Sequence, residues 1–143
     1  VLLLTKKGKS LRFETNKITP VGRKGMGVIA MKLDEGDEIV SCIPILNDND
    51  NVAIFSTRGL GKQVLLKDYP VQGRGGKGTI TYKPTDSSGE VVGGMLINNT
   101  DNLLLVGNNS TIAISASEVP QLGKTALGNI LMKDNELISI IKL

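Results

Sequence analysis

Apolar runs recur along this chain. Each is short enough for a strand and is broken by glycine, asparagine or charged turns, and no segment keeps a helical period. The runs fall into three successive sets. The first strand of each set is predicted at Val1–Thr5, Val52–Ser56 and Leu103–Val106, and the second at Ser10–Phe13, Lys62–Leu66 and Thr111–Ser115. Between them lie Lys6-Lys7-Gly8-Lys9, Thr57-Arg58-Gly59-Leu60-Gly61 and Gly107-Asn108-Asn109-Ser110, with glycine or asparagine where a hairpin needs positive φ. Linking stretches (Glu14–Thr19, Lys67–Tyr69, Ala116–Val119) lead to Pro20, Pro70 and Pro120, fifty residues apart, each followed by a glycine-rich basic loop. A third strand is predicted at Val28–Leu33, Thr79–Lys83 and Asn129–Lys133, and a fourth at Glu38–Leu46, Glu90–Ile97 and Glu136–Leu143.

Four strands in roughly 50 residues is the grammar of a propeller blade. Leu2-Leu3-Leu4 and Leu103-Leu104-Leu105-Val106 are apolar on both faces, which suits strands packed between neighbouring blades. The expected fold is all-β and propeller-like, made of four-stranded antiparallel blades. Its three repeats run over about 1–51, 52–102 and 103–143 and form a single domain or part of one.

Composition narrows the chemistry. Aromatic residues are 3 % of the chain (Phe13, Phe55, Tyr69 and Tyr82, with no Trp), so the core is aliphatic and base stacking on single strands is disfavoured. Tyr69 and Tyr82 read as packing residues. There is no histidine, which removes the commonest general base and zinc ligand; no catalytic residue, metal or cofactor is implied. Cys42 stands alone, so no internal disulfide forms; it is expected to be a buried structural thiol in a reducing cytoplasm. No apolar stretch is long enough for a membrane helix. Val1 opens in mid-strand without a Met, as expected of a piece of a longer polypeptide.

Net charge is only +3, but it comes in blocks. Val1–Lys24 holds seven bases (Lys6, Lys7, Lys9, Arg12, Lys17, Arg23, Lys24) against Glu14. Leu33–Asp50 holds six acids and no base, and Arg58–Lys83 holds six bases (Arg58, Lys62, Lys67, Arg74, Lys77, Lys83) against Asp68. The expectation is that basic loops gather on one surface and acidic loops on another, the footprint of a polyanion-binding protein. Asp34-Glu35-Gly36-Asp37-Glu38 lacks the alternation of a calcium loop and reads as a solvated turn.

The strongest local motif is Gln72-Gly73-Arg74-Gly75-Gly76-Lys77-Gly78. Its glycines let the backbone approach a ligand, successive N–H groups can line an anion-binding concavity, and Arg74 and Lys77 supply a fork and a point charge. Gly22-Arg23-Lys24-Gly25 and Gly123-Lys124 lie in register with it. This heptapeptide resembles the gyrase box, Gln-x-Arg-Gly-Gly-basic-Gly, of the C-terminal domain of the DNA gyrase A subunit. Thr57–Leu66 with Tyr69-Pro70, and Gly22–Asp34, resemble other parts of its blades. Gly73 departs from the family, which usually has a basic residue there.

The resemblance covers all three repeats. It implies a β-pinwheel, a disc of blades that exchange strands, with duplex DNA wrapped on its basic rim to support ATP-dependent negative supercoiling. It also implies a parent A2B2 enzyme that includes the gyrase B protein, contacts with the other domains of the parent polypeptide, and a cytoplasmic, nucleoid-associated location. The similar C-terminal domain of topoisomerase IV is an alternative, and a propeller-like protein-interaction module is another. The DNA contacts expected are Lys6, Lys7, Lys9, Arg12, Arg23, Lys24, Arg58, Lys62, Lys67, Gln72, Arg74, Lys77 and Lys124, made to phosphates without sequence reading.

Overall fold

Hairpins organise the chain. In the computed structural model, which describes residues 1–143, β1 (Leu2–Thr5) pairs with β2 (Lys9–Phe13), β4 (Asn51–Ser56) with β5 (Leu60–Leu65), and β9 (Asn102–Gly107) with β10 (Thr111–Ser115). Each hairpin takes a further antiparallel strand on its other side: β3 (Ile39–Ile43) on β1, β8 (Val91–Ile97) on β4 and β12 (Leu137–Lys142) on β9. The fold is all-β, with three antiparallel-based sheets in sequence order.

In the first two sheets, the outer strand comes from the next repeat. β7 (Thr79–Ile80) pairs with β2 and β11 (Asn129–Ile130) pairs with β5. A two-residue parallel strand, β6 (Val71–Gln72), also joins β2, so the first sheet has five strands, the second four, and the third three.

The third strands are shorter than the sequence pattern predicts. Thr79–Lys83 reduces to Thr79–Ile80, Asn129–Lys133 reduces to Asn129–Ile130, and Val28–Leu33 forms no strand. After two paired residues the chain turns inward and two successive amides converge on one hairpin carbonyl. Thr81 and Tyr82 donate to Gly8 O at 2.8 and 3.1 Å, and Leu131 and Met132 donate to Gly59 O at 2.8 and 3.3 Å. Val28–Leu33 instead exchanges hydrogen bonds with the glycine-rich loop Gln72–Gly78, Gly75 N donating to Ala30 O at 2.8 Å and Lys32 N to Gly76 O at 2.9 Å. The linking stretches contain 3-10 turns at Thr15–Lys17, Leu66–Asp68 and Ala116–Glu118.

Alternation along the strands places the core between blades rather than within them. Val52 and Ile54 of β4 face the first sheet and join Leu2, Leu4 and Ile43; Ala53 and Phe55 face the third and join Leu103 and Leu105. Cys42 is exposed, correcting the expectation of a buried thiol. It sits on an edge strand of which only Ile43 is fully buried.

The converging amides make Gly8 and Gly59 irreplaceable. Both have positive φ (+88° and +82°), and a Cβ would lie 1.6 Å from Tyr82 O and 2.1 Å from Met132 O. Gly8→Ala is expected to cost at least about 2–3 kcal/mol and lower the calorimetric Tm by roughly 5–10 °C. Gly73→Ala, at a site with nothing within 4 Å, is the silent control; equal melting of the two chains would refute the assignment.

Candidate nucleic-acid interface

The glycine-rich loops are excursions from the outer edges of the blades. Residues 73–78 leave β2 beside Phe13, where Gln72 pairs, and return beside Ser10, where Thr79 pairs, so the loop arches over Leu11. Residues 122–128 do the same on β5. Gln121 bridges Gln63, Asn129 pairs with Gly61, and the loop arches over Lys62. Gly78 (φ +74°) and Gly128 (φ +106°) turn each loop back, with no room for a Cβ against Ser10 O and Gly61 O.

The Gln72–Gly78 loop is pinned from within. Arg74 donates from Nε to Lys17 O at 3.2 Å and from Nη1 to Ile29 O at 2.5 Å. Gly75 N donates to Ala30 O at 2.8 Å, so the loop is not the bare N–H concavity expected from its glycines. Lys77 stays exposed, as do Gln72 and Gly73; Gly76 is half-buried.

Lys62 is the largest departure from expectation. It is fully buried and cannot reach a phosphate. Its Nζ donates to Thr81 O (2.7 Å), Gly123 O (3.0 Å), Lys124 O (2.9 Å) and Ala126 O (2.6 Å), filling the underside of the second loop. Burial pushes the amine down to about 8 from an ordinary 10.5. The equivalent side chain under the first loop is Leu11, so an ammonium replaces an aliphatic group at the same place in the repeat.

The remaining cations form two groups. Lys6, Lys7 and Lys9 are at or beside the first hairpin turn and are engaged by acids. Lys6 pairs with Glu38 (3.7 Å) and Glu90 (3.8 Å), and Lys9 pairs with Asp34 (2.6 Å). Lys7 donates from its backbone to Asp37 Oδ1 and from Nζ to Glu35 O. The Lys9 ammonium, by hydrogen bond and charge, holds the Asp34 carboxyl below the usual range. The acidic turn thus packs onto these lysines instead of occupying a separate surface. Arg58, exposed in the next hairpin turn, shares a cleft with Asp134 and Glu136.

The second group follows the outer edges of the first two blades. Arg12 Nη1 donates to Tyr69 O at 3.1 Å, and the Lys124 ammonium stands 4.9 Å from the Tyr69 ring centre, a cation–π contact. These residues link Arg12 to Lys124 across the blade boundary. Lys67 is exposed on the turn after β5, and Arg23 and Lys24 are exposed in the loop after Pro20, which pairs with neither blade edge. None of Arg12, Arg23, Lys24, Lys67, Arg74, Lys77 or Lys124 forms an ion pair with a carboxylate. Lys17, exposed beside Arg74, belongs to this group although sequence reasoning did not select it; it lies fifty residues before Lys67, at the same place in the preceding repeat.

Both tyrosines are packing residues. Tyr69 is 2 % exposed, its hydroxyl bonds Thr81 Oγ1, and burial pushes its phenol up to about 12. Tyr82 donates to Ser88 O or Gly89 O, each at 3.1 Å.

Comparison with known proteins agrees with this geometry. The family described as "DNA gyrase C-terminal domain, beta-propeller" matches residues 1–45, 50–98 and 101–141. The chain belongs to that family. Among its curated relatives, it is 31 % identical over 143 residues to the DNA gyrase A protein of Campylobacter fetus, covering 97 % of this chain and 17 % of that protein. It is 34 % identical over 146 residues to the DNA gyrase A protein of Deinococcus deserti, covering 99 % and 18 %. The gyrase-family fold is also found in solved structures. A DNA gyrase A C-terminal domain superposes with a TM-score of 0.90 at 29 % identity, covering 99 % of this chain and 49 % of that one. The C-terminal domain of a DNA topoisomerase IV superposes with a TM-score of 0.92 at 22 % identity, covering 99 % and 46 %, a likeness of fold. The chain therefore spans under a fifth of its curated relatives and about half of the solved domains.

Proposed function

We propose that this gyrase-family domain binds duplex DNA through its phosphates and bends it along the outer edges of the blades. The observation that carries the reading is the unpaired cationic tract formed by Lys17, Arg74, Arg12, Lys124 and their exposed neighbours. Neutralised phosphates release counterions, and the many contacts offset the bending cost without reading bases. Lys62 is withdrawn from the contact set, Lys6 and Lys9 contribute only after displacing or sharing their acids, and Lys7 and Arg58 stand among acidic residues without an ion pair.

Within a gyrase A protein, residues 1–143 act as a three-repeat wrapping unit and perform no chemistry themselves. The parent is an ATP-dependent type IIA topoisomerase in the cytoplasm, an A2B2 assembly of the gyrase A and B proteins, and the wrap favours negative supercoiling. The equivalent domain of topoisomerase IV is the second reading; the box-like Gln72–Gly78 and the 31 % and 34 % identities to gyrase A proteins favour the first.

The test is ligation of nicked circles with the domain bound. A linking-number shift of one sign, growing with protein, is expected, and Arg74→Ala with Lys77→Ala should reduce it. An unchanged topoisomer distribution under conditions where the domain is bound would defeat wrapping, and no binding to duplex at all would favour a protein-interaction module.

A further inference from the structure

The two glycine-rich loops that arch over the blade edges are held down by different means. Residues 73–78 are tied by backbone: Gly75 N donates to Ala30 O at 2.8 Å, and Lys32 N donates to Gly76 O at 2.9 Å. Arg74 adds bonds to Lys17 O and Ile29 O. Residues 122–128 have no such ties. No backbone hydrogen bond joins them to residues 79–83, which hold the place of 28–32. Yet the same two carbonyls are used. Thr81 O stands where Ala30 O stands, and Ala126 O where Gly76 O stands, and both accept from the Lys62 ammonium, at 2.7 and 2.6 Å. Gly123 O and Lys124 O accept from it too, at 3.0 and 2.9 Å. An ammonium has three protons, so one is shared among the four oxygens. Lys62 thus replaces the two backbone bonds of the other loop and is the only polar link between residues 123–126 and residues 79–83.

That link bears on a cation. Lys124 lies in the loop, and its ammonium stands 4.9 Å from the Tyr69 ring centre. The ring is fixed from two sides: the Tyr69 hydroxyl meets Thr81 Oγ1, and Arg12 of the first blade donates to Tyr69 O at 3.1 Å. Thr81 therefore holds the ring through its hydroxyl and the loop, by way of Lys62, through its carbonyl. Lys62, Thr81 and Tyr69 are buried, whereas Arg12 and Lys124 are half-buried. A frame set in the core carries two cations, one from each blade.

We propose that Lys62 is a positioning residue for DNA binding: without touching a phosphate, its ammonium sets the loop that carries Lys124, so that Lys124 and Arg12 together present one phosphate contact at the boundary of the first two blades. The inference rests on the DNA-binding reading above. Without the ammonium, the loop is anchored only at its ends, where Leu122 N donates to Gln63 O and Asn129 pairs with Gly61, and through Leu127, which packs on the core. Residues 123–126 then leave Thr81, Lys124 leaves the ring, and the contact is lost. Residues 73–78 keep their backbone ties, and the cations they carry are unaffected.

The salt dependence of binding to a plain duplex tests this. Lys124→Ala removes one cation directly and should flatten the slope of log K on log salt by about 0.9, a roughly three- to fourfold smaller loss of affinity between 50 and 200 mM salt. Lys62→Met removes a charge that no phosphate reaches, yet should flatten the slope equally, and the two in one chain should flatten it no further. Lys62→Met with Lys77→Ala should instead be additive, because Lys77 lies in the other loop. A merely structural role would lower binding at every salt concentration and leave the slope and these couplings unmoved. Nuclear magnetic resonance supplies a second readout. In the native chain the Lys62 ammonium protons should exchange slowly with water and couple across hydrogen bonds to the carbonyls of Gly123, Lys124 and Ala126, and the Tyr69 ring should shield the Lys124 Hε protons. Fast exchange overturns the proposal even if Lys62→Met does not fold. So does an unmoved slope in Lys62→Met, or a double variant with Lys124→Ala that loses the sum of both. A native chain that binds no duplex defeats the DNA-binding reading and this inference with it, whereas binding with an unmoved slope defeats the inference alone.

Discussion

Exchanging Lys62 for methionine is expected to destabilise the domain by on the order of 2–3 kcal/mol at neutral pH, although it removes a buried charge. Four carbonyl oxygens now converge on the ammonium, from Thr81, Gly123, Lys124 and Ala126. A thioether offers them no donor. Denaturant unfolding measures the loss; an unchanged midpoint would show that the loop turns its carbonyls to water without penalty. Because Lys124 lies in that loop, the variant should also bind DNA less tightly.

The pH dependence has a definite sign. The carbonyls favour the charged amine, but no carboxylate neutralises it, and burial prevails, holding it near 8 against an ordinary 10.5. Below pH 8 the folded and unfolded chains both hold the proton, and the cost of burying the charge is present in full. Between about 8 and 10.5 only the unfolded chain keeps it, so stability rises across that window, by at most roughly 3 kcal/mol. Tyr69 works in the other direction between about 10 and 12, since its buried phenol keeps a proton that the unfolded chain releases. That effect is common to both chains and cancels in the difference. The stability gap between the native chain and Lys62→Met should therefore widen as pH rises through 8. A narrowing gap would mean that the hydrogen bonds outweigh burial.

The second large effect concerns salt. On the proposed reading, the unpaired cations of the outer edge, from Arg12 to Lys124, are expected to neutralise about six phosphates. This corresponds to a slope of log K on log salt near −5, and to roughly 10³-fold weaker binding at 200 mM than at 50 mM salt. Fluorescence titration with a plain duplex measures it. Gly73→Arg restores a charge where the loop has room for one, and should steepen the slope by about one. A flat response in both chains would remove phosphate neutralisation as the basis of binding.

Legibility in the sequence depends on whether a signal is periodic. The hairpins are legible, because alternating aliphatic strands and glycine turns are local properties of Leu2–Phe13, Asn51–Leu65 and Asn102–Ser115. The length of the third strand is not. Thr79–Lys83 has a strand-like composition, but convergence on Gly8 O ends the pairing after Ile80, a constraint set by a hairpin far earlier in the chain. Charge counts mislead in a similar way. Lys62 looks like any other cation in a basic block, and only its position in the repeat, shared with Leu11, reveals an inward-facing site. Lys6, Lys7 and Lys9 are clustered in sequence and in space, but the turn that engages them begins at Asp34, and a single sequence carries no sign that the two meet. Cys42 has apolar neighbours in sequence, yet its strand lies at the edge of the sheet.

Strand exchange also sets a schedule for synthesis. The first sheet needs Ile80 beside Lys9, and the second needs Ile130 beside Leu60. A ribosome adding about 5–20 residues per second therefore leaves each hairpin with a bare edge for some seconds before its last strand emerges. During that delay the nascent chain is open to chaperones and to mispairing with a neighbouring polypeptide. The first two blades then become complete one after the other from the amino terminus, each sealed by sequence belonging to its successor.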